Sequence, residues 1–207
     1  MRKFLACLSV LVLSGMLLFT AVPAATAKEA GPFYVGLYGG WVMADDLELE
    51  NEGASLDVSL ENSWALGAKF GYIIPTVKWL AVELDYAYLA EQGIDEAGAD
   101  GDFKTNNLML NFIARYPEGK IHPYLGFGLG WSWGDFSATI PGEGSINESD
   151  NAFAWQILAG VNFEITPQWS ADIGYRYFNA QYELGDDPTV DATYKVHMFL
   201  IGVNFHF

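Results

Sequence analysis

The sequence has 207 residues with 26 acidic and 10 basic side chains, and its formal net charge at pH 7 is −16. A chain this acidic lacks the positive surface that nucleic-acid binding requires, so nucleic acid is excluded as a partner. The length is enough for one domain. Although 51% of the residues are hydrophobic, no run beyond the N-terminal one is long enough to form a membrane helix.

The N-terminal segment has the three parts of a secretory signal peptide. Arg2-Lys3 is a basic pair, residues 4–22 form an uncharged apolar run, and Ala25-Thr26-Ala27 is a small-x-small cleavage sequence. We therefore predict a signal peptide over residues 1–27, followed by one mature domain over residues 28–207. An uncleaved membrane helix is the alternative, since the apolar run is nearly long enough to span a bilayer.

The single cysteine, Cys7, lies early in the apolar run, which does not fit a lipoprotein signal. The predicted mature chain therefore has no cysteine and forms no disulfide, although export leads to a compartment that permits disulfides. High apolar content behind an export signal, without a second apolar span, indicates strands that face lipid.

Eight segments of the mature chain alternate in hydrophobicity with the period of two that is typical of β-strands. They are residues 33–43, 63–74, 79–90, 103–116, 121–136, 152–165, 168–184 and 193–207.

The connectors between these segments alternate in length. Three are tight turns with Pro or Gly, and four are long and polar. The short ones are 75–78, 117–120 and 166–167, and the long ones are 44–62, 91–102, 137–151 and 185–192. Short turns on one rim and long loops on the other are typical of outer-membrane barrels. We therefore predict an all-β fold, an eight-stranded antiparallel up-and-down transmembrane β-barrel with both termini on the short-turn side.

The alternation does not by itself say which face is inside. A soluble lipocalin-like barrel also has eight strands, with the apolar set inward, and Gly39-x-Trp41 faintly resembles a motif of that family. Two features favour lipid outside. The polar face is mostly Gly, Ala, Ser and Asn, which suits a narrow filled interior, and the aromatic residues form two girdles at the strand ends. We expect Leu84, Phe127 and Ile201 to face lipid.

The last segment alternates Phe199, Ile201, Val203, Phe205 and Phe207 with mixed residues. It resembles the C-terminal strand of bacterial outer-membrane β-barrels, and the resemblance implies that Phe205 and Phe207 belong to the assembly signal.

The whole mature chain resembles the small OmpA/OmpX-type barrels and the outer-membrane β-barrel domain family. The first-segment YVGLYGGW and the fifth-segment HPYLGFGLG carry the likeness. The resemblance implies insertion in a bacterial outer membrane by the barrel-assembly machinery, with lipid and lipopolysaccharide as surroundings. It implies no single activity. We expect a monomer.

Seven charged residues are predicted to point into the lumen, where they should pair because an isolated buried charge is costly. Lys69 and Glu83 lie seven residues on either side of Thr76, which predicts that they face each other. We interpret the set as an interior charge network that fills the barrel, and a narrow porin-like channel gated by these ion pairs is the alternative. The seven are Lys69, Glu83, Asp85, Arg115, Glu164, Asp172 and Arg176.

Most acidic residues fall in the long connectors, as a predicted acidic extracellular surface. It could be a solvated repulsive rim, or it could contact divalent cations, lipopolysaccharide or other cells. No specific metal site is predicted, because Asp100-Gly101-Asp102 lacks the spacing of a calcium loop. The surface includes Asp45, Asp46, Glu48, Glu50, Asp95, Glu96, Asp100 and Asp102.

Catalysis is not predicted, because none of the three histidines has an evident nucleophile partner. His197 is followed by Met198 and Phe199, not by the His-x-Ser of barrel deacylases, so a lipid A-modifying enzyme is a less favoured alternative. We predict a non-enzymatic outer-membrane protein without cofactor that supports cell-envelope integrity.

Overall fold

The computed structural model describes residues 31–44, 47–51, 54–58, 61–96, 99–140, 144–184 and 190–207, and these ranges contain ten β-strands. The strands are β1 Phe33–Ala44, β2 Leu47–Asn51, β3 Ala54–Val58, β4 Ser63–Ile73, β5 Leu80–Glu96, β6 Ala99–Arg115, β7 Ile121–Ile140, β8 Gly144–Glu164, β9 Trp169–Leu184 and β10 Val190–His206. No helix in these ranges is long and apolar enough to cross a membrane. The predicted signal peptide lies outside the described residues.

Eight of the strands close into a barrel. Their order is β1-β4-β5-β6-β7-β8-β9-β10, every neighbouring pair is antiparallel, and β1 pairs back onto β10 from Tyr34↔His206 to Ala44↔Val196. Closure leaves no free strand edge around the ring, which is the condition for a sheet to exist in lipid. The predicted eight-stranded up-and-down barrel is confirmed, and both ends of the described chain lie on the short-turn rim.

The apolar side chains of the barrel face outward. Leu84, Phe127 and Ile201 are 48, 45 and 68% exposed, whereas Glu83 on the alternate face of β5 is 2% exposed. The orientation predicted from the Gly-rich polar face is therefore confirmed, and the soluble lipocalin-like alternative is wrong.

The long connectors differ from the prediction, because much of the first three, and residues 190–192 of the fourth, form strand. β2 and β3 form a hairpin inside the first connector, and β2 pairs with the end of β10 through Glu48↔Thr193. The hairpin of β7 and β8 runs to Ile140 and Gly144. A membrane needs about 9–11 residues of strand, so strands of 20 and 21 residues project beyond it. The hydrophobic pattern missed these extensions because a strand outside the membrane need not alternate apolar and polar residues.

Candidate functional site

Two sets of charges join opposite walls of the lumen. β5 and β9 are four places apart in the ring of eight, and Arg176 on β9 donates from Nη1 and Nη2 to Oδ1 and Oδ2 of Asp85 on β5, at 3.0 and 3.1 Å. On β4, Lys69 Nζ lies 3.7 Å from Glu83 Oε2 and 3.6 Å from Asp172 Oδ1. A two-point guanidinium–carboxylate contact is among the strongest polar contacts.

Uncharged donors complete the coordination of these carboxylates. Tyr34 Oη donates to Glu83 Oε2 at 2.9 Å, and Asn111 Nδ2 donates to Glu83 Oε1 at 3.1 Å. Tyr38 Oη donates to Asp85 Oδ1 at 2.8 Å. A buried carboxylate is tolerated when its lone pairs are satisfied in this way.

The carboxylate of Asp172 on β9 has a similar partner, because Tyr124 Oη on β7 donates to Asp172 Oδ1 at 3.1 Å. The Tyr38 ring also lies under Arg176, with Cζ 5.0 Å from its centroid, a cation–π contact. The hydroxyls of Tyr34, Tyr38 and Tyr124 were missed by sequence reasoning, although all three sit on the inward face of their strands.

Inward glycines make room for these tyrosines. A Cβ at Gly67 would lie 2.1 Å from Tyr38 Cζ, and one at Gly71 would lie 2.0 Å from Tyr34 Cζ. An inward glycine on the neighbouring strand is therefore the sequence signal that identifies a tyrosine filling the lumen.

The half of the lumen nearer the long-loop rim is filled by aromatic rings. The Phe103 ring makes edge contacts with Tyr182 and Tyr194, with centroids 5.7 and 5.0 Å apart, and Phe178 lies 6.3 Å from Tyr194. Tyr194 Oη donates to Gln92 Oε1 at 2.7 Å. We call Phe103, Phe178, Tyr182 and Tyr194 the aromatic plug, and all four side chains are buried.

The register between β4 and β5 corrects the prediction that Lys69 and Glu83 are directly opposite each other. Lys69 is opposite Asp85, and Glu83 is opposite Gly71, so Lys69 reaches Glu83 diagonally. The turn between β4 and β5 is centred on Val77 and not on Thr76, which moves the pairing by two residues. A shift of two leaves every side chain on its predicted face.

Arg115 and Glu164 line the mouth formed by the short turns, and among the described residues neither forms an ion pair with the other five predicted interior charges. Glu164 Oε2 is 3.9 Å from His122 Nε2. Asp172 and Arg176, two face positions apart on β9, contact different partners and not each other.

The predicted assembly residues sit on the outer face at the short-turn rim. The Phe205 and Phe207 rings are stacked at 6.2 Å, Phe207 lies 6.2 Å from Phe33, and Phe205 lies 5.0 Å from Trp169.

The predicted acidic surface is carried by strands as well as loops. Glu48 and Glu50 lie on β2, Asp95 and Glu96 at the end of β5, and Asp100 and Asp102 at the start of β6, while Asp45 and Asp46 fall outside the described residues. Within the described ranges, no group of three or more His, Cys, Asp or Glu side chains is arranged to hold a metal ion.

One histidine has a serine partner that sequence reasoning missed, because the two residues lie on neighbouring strands. His206 Nε2 is 3.1 Å from Ser170 Oγ, which also accepts hydrogen bonds from Asn162 Nδ2 at 2.9 Å and Asn204 Nδ2 at 3.3 Å. Ser170 is 2% exposed. Among the described side chains, no carboxylate forms a hydrogen bond with His206, so the group lacks the orienting acid of a triad.

A closed antiparallel barrel with an apolar exterior and an ion-paired interior defines an outer-membrane β-barrel protein. The chain belongs to the outer membrane protein beta-barrel domain family, whose model matches residues 12–207, and its location is the bacterial outer membrane.

Known relatives agree with this assignment. The chain is 26% identical over 191 residues to outer membrane protein A of Shigella flexneri, covering 88% of this chain and 52% of that protein; it thus spans about half the length of the curated relatives it matches. Neisserial surface protein A has a similar structure, with 22% identity, TM-score 0.56 and coverage of 87 and 100% of the two chains. Ail, the attachment invasion locus protein of Yersinia pestis, has 21% identity, TM-score 0.50 and the same coverage.

Proposed function

We propose that this protein is a non-enzymatic, non-conducting barrel that supports the integrity of the cell envelope. The observation that carries the proposal is the filled lumen, in which the ion pairs join opposite walls and the aromatic plug lies above them. An eight-stranded barrel is just wide enough for side chains to fill, and here the fill is both polar and apolar.

The non-enzymatic part of the proposal rests on the buried Ser170. Its hydroxyl accepts two amide hydrogen bonds and contacts His206. This suits a structural hydrogen-bond cluster that links β8, β9 and β10 better than an exposed nucleophile.

Deletion of the gene tests the envelope role. We expect the deleted strain to become more sensitive to detergent and to large antibiotics that an intact outer membrane excludes, and we expect the wild-type gene to restore resistance. An unchanged sensitivity would contradict the envelope role.

Single-channel recording of the purified protein tests the porin-like alternative. A stable large conductance would support a channel and contradict a filled lumen.

We further propose that the acidic extracellular surface contacts divalent cations and, through them, the phosphates of lipopolysaccharide. Oxygen-rich carboxylate surfaces suit hard cations. The test variant changes Asp45, Asp46, Glu48 and Glu50 to their amides, and the matched control is Glu118→Gln in an exposed short turn on the opposite rim.

In this test, we expect the loop variant, and not the control, to lose the calcium dependence of envelope resistance. If both strains respond alike, cation contact by this surface is wrong. A change confined to adhesion would identify other cells as the partner instead.

A further inference from the structure

The short turns surround an open cavity that has no part in the proposed envelope role, and we call it the vestibule. This vestibule has a volume of about 310 Å³ and is bounded by Pro75, Pro117 and Pro167, one from each short turn. Arg115 and His206 line both the vestibule and the narrower cavity of about 50 Å³ in the lumen above it. They therefore lie at the boundary between the open mouth and the packed interior.

Arg115 differs from the other inward cations. Lys69 and Arg176 each have a carboxylate within 4.0 Å, whereas no described residue forms an ion pair or accepts a side-chain hydrogen bond with Arg115. Glu164 acts on it electrostatically, but the close contact of Glu164 is with His122. A guanidinium has five N–H donors in a planar fork that matches a carboxylate or phosphate, and in this mouth the fork has no side-chain partner among the described residues.

The neighbouring side chains add donors. Ser170 Oγ accepts from two amides, so its own hydrogen is directed to His206 Nε2. Neutral His206 then carries its proton on Nδ1. Since a carbonyl can only accept, His122 Nδ1 donates to the Tyr116 carbonyl at 2.9 Å.

We propose that this vestibule is a binding site for a small oxyanion of the carboxylate or phosphate type on the periplasmic side of the barrel. Arg115 supplies the two-point contact and His206 the adjacent N–H, while Glu164 opposes the anion and limits its affinity. Charge-assisted hydrogen bonds to a fork of this kind are short and strong. The site goes beyond the envelope role and does not depend on it.

Calorimetric titration of the folded full-length protein in a non-ionic detergent tests the site, with inorganic phosphate and acetate in separate arms. We expect saturable binding of at least one anion. Arg115→Met should weaken it about tenfold or more, Arg115→Lys should weaken it less, and Glu164→Gln should strengthen it. The matched control is Lys120→Met, an exposed short-turn lysine that does not line the vestibule, and it should bind as the wild type does.

Each outcome decides the proposal. Binding of acetate but not phosphate identifies a carboxylate site, and the reverse identifies a phosphate site. No saturable binding of either anion, or equal weakening by Arg115→Met and Lys120→Met, would overturn it. If Arg115→Met does not fold, the wild-type protein remains decisive, because phosphate or acetate must shift the imidazole NMR signals of His206 and His122 and leave that of outward-facing His197 in place.

Discussion

At the scale of single residues, each buried carboxylate of the network has one cation and at least one uncharged donor. Glu83 has Lys69 with Tyr34 and Asn111, and Asp85 has Arg176 with Tyr38. Removing only one member of such an ion pair should strongly lower the free energy of unfolding, because the remaining charge stays buried without its partner.

This asymmetry predicts the behaviour of Arg176→Met. The single change leaves Asp85, which is 0% exposed, without a cation and should lower the free energy of unfolding by about 3–5 kcal/mol. Adding Asp85→Asn should recover a large part of the loss. Urea unfolding in detergent micelles measures both, with exposed Lys78→Met as a control that changes stability by about 0.5 kcal/mol or less. Equal losses in the single and double variants would contradict the pairing.

The space at Gly67 gives a second prediction. A Cβ there meets the Tyr38 ring, so Gly67→Ala should destabilise the barrel by about 1–3 kcal/mol through overpacking. In a Tyr38→Leu background the same change should cost much less, because the ring is absent. Additive losses in the double-mutant cycle would show that the glycine and the tyrosine are not coupled.

At the scale of elements, each barrel strand has one face for lipid and one for the lumen. Ile201 lies on the outer face of β10 at 68% exposure, and Met43 lies on the outer face of β1 near its long-loop end, at 41%.

The outer face predicts a depth-dependent cost for lysine. Ile201→Lys should lower the free energy of unfolding in lipid vesicles by about 2–4 kcal/mol, and Met43→Lys by about 0–1 kcal/mol, because a charge near the interface reaches water. The two variants are controls for each other. Equal costs would mean that Ile201 does not face hydrocarbon.

The last strand also predicts a separation of assembly from stability. Phe207 and Phe33 share a ring contact at 6.2 Å. Phe207 also contacts Phe205, and Phe33 also contacts Phe70 and Tyr72, so Phe33→Ala is a control that removes aromatic packing at the same rim. If Phe207 belongs to the assembly signal, only its variant should lower the amount of protein inserted in the outer membrane of cells, while both variants should still refold in vitro. Immunoblots of membrane fractions measure the difference, and equal insertion would remove Phe207 from the signal.

At the scale of the whole molecule, closure between β1 and β10 joins eight strands into one cooperative unit. The unboiled protein should therefore migrate on a gel at a different position from the boiled protein. A variant lacking residues 190–207 should run at the boiled position without heating, since two open edges cannot persist in lipid. A retained shift in that variant would contradict closure by the last strand.

Much of the fold could be predicted because lipid imposes a simple rule on the chain. The segment predicted at residues 63–74 is β4 Ser63–Ile73, since an apolar side chain must recur at every second position where a strand crosses hydrocarbon. The rule ends where the strand leaves the membrane. That is why β2, β3 and the ends of β7 and β8 were predicted as connectors.

The sequence by itself determined the number of barrel strands, their direction, and which side chains point into the lumen, because all three follow from the period of two and the alternating connector lengths. Only the tertiary structure decided which side chains contact each other inside the lumen. Lys69 opposes Asp85, because a two-residue change of register keeps every face the same. Asp85 contacts Arg176, 91 residues away in the chain. The curvature and closure of the barrel determine such contacts across the lumen, and the hydrophobic pattern of a single strand predicts neither the curvature nor the closure.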